Sequence, residues 1–531
     1  FWLKSFCFSL VMRSLLAALT SASSDSVVSH HDYIVTLEGT TVGKSFTRVV
    51  ATASDNFWFI EDMEIVLRRG SELTPMFVRM DNEETQDGSM VMQHLSHQLG
   101  ASQSTDTKWQ WNSNGTVSTT SRSGGLPPVP RLDDAPTATG LLGRWSSELQ
   151  FRQHAKAGLN ESVTVTLRPE FGLAPVTVKR WRLKTVQLST ACSPDTQTAV
   201  VWGCEIVGVP TNMTETYDED HTTLLEYVMD SPFGKMESLL CVGEEAQRRL
   251  KSASADVVKH TALPEIVYSV AAKLDKRIPE MAWPGASRLG FRVRHVKGMN
   301  VTFPSCGFQT ARPVGEEGKI VDLIVDISDE PSIATPEEIN DAEYRDPCSM
   351  VDNGDPEIIR LKDRILSEAT TDEMERAKLL RTGVRRHIRH STLAAGFATA
   401  SETVRERKGD CTEHAMLLTA LLKADGIPAR VCTGLLYSVT GGASMVWHMW
   451  SQALIGGRWR DLDATLEVPF HAGHMLSSTS SMLNILSLKT TEMEMLNQIG
   501  SLEVVVLQHE SRAMPLDAIP RHRGRPSLEE L

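Results

Sequence analysis

The sequence predicts an α+β protein in which β-rich domains precede a domain built on a cysteine-bearing helix packed against antiparallel sheet. Three observations carry that expectation. Alternating runs such as Val163-Thr164-Val165-Thr166-Leu167 recur through the first half, as strands with one buried face require. The run Ala415-Met416-Leu417-Leu418-Thr419-Ala420-Leu421-Leu422 is apolar on nearly every side, the mark of a helix inside a core. Gly456-Gly457 joins two strand-like runs, 445–455 and 458–463, in the manner of a two-residue hairpin turn.

At 531 residues the chain exceeds what one hydrophobic core supports, so several units are expected. Residues 1–19 are largely apolar with Lys4 and Arg13 as their only charges, and small residues follow. Residues 1–23 therefore read as a signal peptide or hydrophobic N-terminal segment, and the protein as exported: periplasmic, secreted or cell-envelope associated. A shorter leader beginning at Met12, or an N-terminal membrane anchor, suits the same residues; no later segment reaches the length of a span. Strand patterns at 33–37, 63–67, 163–167, 176–181 and 202–209 make 25–243 a β-rich domain. Within it, 112–130 reads as a loop from its Ser, Thr, Gly and Pro content. A charged linker (244–262), a second β-rich segment (263–327) and an acidic, turn-rich linker (328–355) follow. The cysteine domain spans 356–510, with Thr370 and Glu373 as a capping box for a helix reaching about His390, and 511–531 is a flexible tail.

A net charge of −13, spread along the chain rather than blocked, argues against nucleic acid as a partner. Of eight cysteines, Cys7 lies in the leader and Cys411 in the candidate site, which leaves six for up to three disulfides in an exported protein. Cys192 and Cys204 are the nearest local pair, and Cys432, in an apolar strand, reads as a buried free thiol. His30-His31-Asp32 reads as solvated surface. His471 and His474 lack a third ligand at a helpful spacing, so no metal or cofactor is expected.

The chemistry concentrates in Gly409-Asp410-Cys411-Thr412-Glu413-His414. Gly409 and Asp410 are turn and cap residues, so Cys411 stands at a helix N-terminus. Unpaired N–H groups and the helix dipole favour a thiolate there. In the hairpin, Ile455 faces Arg458, Trp450 faces Asp463 and His448 faces Thr465. His448 and Asp463 are then diagonal neighbours on one face, about 7–8 Å apart by backbone. Asp461 has the same parity but opposes Gln452, two positions further along. A buried cysteine alone is usually a small hydrophobe, and a histidine beside tryptophans is usually structural. Together, Cys411, His448 and Asp463 form what a thiol nucleophile, a base and an orienting carboxylate require. The Cys411 N–H is the first oxyanion donor; no upstream residue declares itself as the second.

These residues resemble the transglutaminase-like superfamily, the papain-related cysteine fold, and are most similar to its bacterial branch with a Gly-Asp-Cys-Thr-Glu-His motif. The resemblance covers about 370–470. It runs through Phe397-Ala398-Thr399-Ala400, the Cys411 motif, Ala424-Asp425-Gly426-Ile427-Pro428-Ala429-Arg430, Trp447-His448-Met449-Trp450 and Trp459-Arg460-Asp461-Leu462-Asp463-Ala464-Thr465. The family usually has Pro where Ala464 stands and often Ala where Met449 stands. The resemblance implies a papain-like transglutaminase-core domain with Cys411 as nucleophile, His448 as base and Asp463 as orienting acid. It implies thioester acyl transfer on amide bonds of a protein or peptide substrate, to an amine or to water. Two alternatives stay open: a cysteine protease or peptide amidase on the same triad, and a non-catalytic envelope binding or structural protein. Some members need calcium, but 328–355 lacks the ligand spacing of a calcium loop. Oligomeric state is left open.

Overall fold

A computed structural model describes residues 26–243, 271–482 and 498–511 apart from short internal stretches. The expected leader, nearly all of the 244–262 linker, Thr370 and the tail beyond 511 lie outside the described residues.

Fifteen strands form the first sheet, nearly all of it an antiparallel meander. It runs from Val129–Asp134 back to Ser26–Leu37, crosses to Gly234–Cys241, and returns to Leu141–Leu142. Its two edge strands are separated in sequence only by residues 135–140. So short a connection reaches roughly 25 Å when fully extended, so the sheet has to curl until its edges approach. The helix Arg144–Lys156 follows directly. Its first backbone N–H groups, at Trp145 and Ser146, donate to the Glu84 carboxylate at 2.7 and 2.9 Å, which anchors the helix to another strand of the curl. Phe151 on this helix packs edge-on against Trp202 and beside Tyr217.

The β-rich reading of this region matches the fold, with two differences. Residues 112–130 are not one loop: Thr116–Ser123 and Val129–Asp134 are paired strands, and only 112–115 form the turn. Composition misled because Ser and Thr also suit strands, and here Val117 and Thr119 face inward on alternate positions. The Cys192–Cys204 pairing does not form. Cys204 is a free thiol buried with Val178, Ile206 and Met213, pointing into the sheet's interior, whereas Cys241 is disulfide-bonded.

The second sheet unites segments that the sequence set apart. Gln309–Val314, Ile320–Asp326, Ala286–His295, Leu502–Ser511, Ala272–Leu274, Ser444–Ile455, Ala429–Ser438 and His474–Ser480 are neighbours in that order, with Arg458–Leu462 paired to Ser444–Ile455. The 263–327 segment is thus part of the cysteine domain. Its alternate residues Val321, Leu323 and Val325 need covering, and they share one core with Leu435, Tyr437 and Met445. Residues 328–355 are likewise more than a linker. They hold the short helix Pro336–Asn340, capped by a Thr335/Glu338 box, and send Met350 and Val351 into the helical core. Acidity reads as solvation, but here it is paired. Glu338 meets Arg430 at 2.8 Å, and Arg430 lies buried 3.8 Å over the Trp459 ring. The Lys423 amine donates to the carbonyls of Glu343 and Asp346 at 2.9 and 3.2 Å.

On the other face lie the helices Pro356–Ile365, Glu373–His387, Ala400–Glu406 and Cys411–Ala424. Glu373–His387 is capped by Asp372, which accepts the Glu375 N–H at 2.9 Å. The helix therefore starts from that Asx cap. Residues 412–423 of the last helix are all buried, as its apolar composition requires. Thr419 donates to Ser451 (3.0 Å) and Ser451 to the Ala415 carbonyl (3.0 Å), tying the helix to the central strand.

Arg430→Met removes the cation that holds Glu338 and Gln452. The expected loss is about 2–3 kcal/mol, less than for a wholly buried pair because Glu338 keeps some solvent. Denaturant midpoints read the loss, and faster proteolysis within 328–355 locates it.

Candidate active site

Cys411 is the first residue of its helix, and each neighbour in the motif has a steric or hydrogen-bonding reason. Asp410 caps the helix by accepting the Thr412 N–H at 2.8 Å. Glu413 reaches back to accept the Asp410 N–H at 2.8 Å, and its second oxygen accepts the Ala398 N–H at 3.0 Å. One carboxyl thus fixes both the cap and the segment entering the preceding helix. Burial first, then the nearby Asp410 charge, pushes the Glu413 carboxyl well above the usual range, toward the neutral acid. Gly409 is required by close approach: a Cβ there would lie 2.3 Å from the Glu413 Cβ. His414 donates from Nδ1 to the Asp410 carbonyl at 2.6 Å, completing the turn.

The hairpin has the register its sequence implies. Ile455 opposes Arg458, Gln452 opposes Asp461 and Ser451 opposes Leu462, across a turn with Gly456 and Gly457 at φ 61° and 72°. Asp463 follows the strand end. His448 Nε2 lies 2.8 Å from Asp463 Oδ2, and both side chains are buried. With Nε2 so engaged, Nδ1 is the ring nitrogen left for Cys411, which lies near enough to raise the imidazole's pKa. Trp450 stacks on the ring at 6.2 Å and 20°. The structure therefore joins His448 to Asp463, with Cys411 near enough to act on the imidazole's pKa. Asp461 is occupied elsewhere, accepting from Trp450 Nε1 at 2.8 Å and Gln452 Nε2 at 2.9 Å.

Burial alone would lower the His448 pKa, but the Asp463 charge, the hydrogen bond to Asp463 and the neighbouring Cys411 outweigh it and raise it to about 10. Burial would raise the Asp463 pKa; the His448 charge and hydrogen bonds from His448 and His474 hold it well below the carboxylate range.

Three participants were not legible as such. His474 brings Nε2 to 3.0 Å from the same Asp463 Oδ2, while its Nδ1 lies 2.9 Å from the His471 carbonyl. Both partners are acceptors, so both ring nitrogens are placed to donate. In the sequence, His474 stood out only as half of an incomplete zinc pair. Arg381, on Glu373–His387, donates to the Asp463 carbonyl at 2.6 Å and the Val468 carbonyl at 2.8 Å. Arg385, one turn on, donates to the Thr465 carbonyl at 3.0 Å, and the Thr465 N–H closes onto Asp463 Oδ1 at 2.7 Å. The available signal was the spacing of Arg381 and Arg385, which puts two forked donors on one helix face. Donor atoms of His448, Asp463 and His474 lie within 4.8 Å of one another, a spacing a metal ion can also bridge.

Residues 359–464 match the family model described as the transglutaminase-like superfamily, a span that includes Cys411, His448 and Asp463. The chain carries a transglutaminase-like core. His474 lies beyond the matched span of that core. Among solved structures, a candidate cysteine protease from Cytophaga hutchinsonii is similar over 37% of this chain and 77% of its own, at 17% identity and a TM-score of 0.25. A candidate protease from Parabacteroides distasonis is similar over 81% of this chain and 69% of its own, at 11% identity and a TM-score of 0.18. A β-barrel-like protein of a domain of unknown function from Brucella abortus is similar over 40% of this chain and 94% of its own, at 10% identity and a TM-score of 0.30. No curated protein matches the chain.

His448 is expected to titrate near 10 by histidine-selective NMR, and Asp463→Asn to bring that value down toward 6.5. Because its folded pKa is raised, its contribution to stability is full below about 6.5 and fades as pH rises through about 10. The depressed Asp463 contributes above about 3.8 and loses its part as pH falls through its lower folded pKa.

His474→Leu leaves the shared carboxylate one donor short, and unfolding free energy should fall by about 1–3 kcal/mol. His474→Gln, which keeps a donor, should recover part of the loss.

Proposed function

We propose that this chain is a cysteine enzyme that transfers acyl groups from amide bonds of a protein or peptide, with Cys411 as nucleophile, His448 as acid and base, and Asp463 as the group that orients the imidazole. The observation that carries this reading is the buried His448 ring, bound to Asp463 through Nε2 at 2.8 Å, with Cys411 near enough to raise the imidazole's pKa. An imidazole held at one nitrogen by a carboxylate keeps its other nitrogen aimed at the sulfur.

The reaction then follows from these positions. The Cys411 sulfur attacks the amide carbon, forming a C–S bond while the oxygen takes the negative charge near the Cys411 N–H. The C–N bond breaks as the imidazolium gives its proton to the departing amine. Water or a second amine attacks the thioester and yields its proton to His448, and the thiolate leaves. Water gives hydrolysis, as in a protease or amidase; an amine gives cross-linking or transfer. His474, Arg381 and Arg385 act as positioning residues, since they touch Asp463 and its loop and not the reacting atoms. Export fits the disulfide at Cys241, because such bonds persist in oxidising compartments. Among the described residues no helix is long and apolar enough to cross a membrane.

Cys411→Ala is expected to abolish turnover with the fold intact, read by hydrolysis of, and amine incorporation into, a glutamine-containing peptide. Activity surviving that change sinks the assignment of the nucleophile. Treatment with EDTA should leave the rate unchanged, whereas added Zn²⁺ should inhibit by bridging His448, Asp463 and His474; loss of rate on chelation would instead make that cluster a metal centre.

A further inference from the structure

The curled first sheet, together with Val296, Ile499, Gly500 and Ser501 from the second half of the chain, lines a cavity of about 840 Å³, within the size range of small-molecule sites. Alternation along the strands shows that its wall is the sheet's inner face: Phe59, Glu61, Met63, Ile65 and Leu67 line it from a single strand, each two residues from the next. Six methionines are among the lining residues, so much of the apolar wall is unbranched and able to remodel around a flexible chain. The polar end is built from the Arg144–Lys156 helix and the strands facing it. Arg180 pairs with Glu215 at 2.6 Å and with Glu148 at 3.3 Å, Arg152 with Glu148 at 2.9 Å, and Arg144 with Glu61 at 2.9 Å. The Tyr217 hydroxyl donates to Glu148 at 2.8 Å. Four arginines and four carboxylates line the cavity, so its fixed charge is balanced.

We propose that this cavity is a binding site for a single-chain amphiphile with an uncharged head. The apolar inner face takes the chain, and the Arg–Glu–Tyr cluster takes the head by hydrogen bonding. An ionised head would have to break into guanidinium–carboxylate pairs that already satisfy each other, at a cost in desolvation. A hydroxyl or ester needs only the remaining donor and acceptor positions of the same groups. The site stands apart from Cys411 and does not rest on the reading given for it.

The test uses the full chain and the neutral fluorophore N-phenyl-1-naphthylamine. Saturable binding at about one probe per chain is expected. Monodecanoylglycerol should displace the probe at lower concentration than decanoate or decylammonium. Met76→Trp and Met213→Trp fill the cavity from different strands, and each, once shown folded by circular dichroism, should weaken binding by roughly tenfold or more. Cys411→Ala should bind as the parent does. Absence of saturable binding, or binding unchanged in both filled variants, overturns the site. Equal displacement by the charged amphiphiles overturns the uncharged head.

Discussion

A carboxylate with no exposed surface must be fully paired, and Asp463 is such a group. An unpaired charge at such depth would cost several kcal/mol, so the residues around it are held to the geometry that satisfies it. Its partners come from separate elements: His448 from Ser444–Ile455, His474 from His474–Ser480, and the Thr465 N–H from the loop that follows it. Arg381 grips its carbonyl from the helical layer. Strand, neighbouring strand and helix are thus referenced to one side chain.

The same sheet explains why the cysteine domain is larger than its motif-bearing stretch. Leu502–Ser511 pairs with Ala286–His295 on one side and Ala272–Leu274 on the other, so chain ends far apart in sequence close a single core. Such non-local pairing is slow to form. It also places residues 328–355 across the hairpin, where the partly exposed Glu338 leads into the buried Arg430, Gln452 and Asp461 as one polar chain. The acid that a reader of the sequence assigns to solvent is here the counter-charge that lets Arg430 stack beneath Trp459.

What was legible in the sequence was local. The helix start at Cys411 is written in Gly409, Asp410 and Glu413. The choice of Asp463 over Asp461 follows from strand parity once the two glycines set the turn. His474 was not legible because its position depends on pairing with Ala429–Ser438, whose register shifts at a bulge between Thr433 and Gly434. No pattern in the sequence announces such an irregularity. The strands in 112–130 were hidden by composition, and the cavity of the first sheet by distance: its lining comes from strands whose meeting depends on how far the sheet curls.

The Gly456-Gly457 turn also acts as a ruler marked in whole pleats. Every side chain after it is assigned to a face by counting from the turn, and Asp463 stands just past the last paired residue. Adding or removing one residue between 455 and 463 would present Leu462 or Ala464 to the imidazole, turning a polar relay into an apolar contact without disturbing the strand's hydrogen bonds. Changes of two residues would keep the face but shift the carboxylate by a full step along it. The chemistry of this site is therefore protected less by the identity of the hairpin residues than by their number.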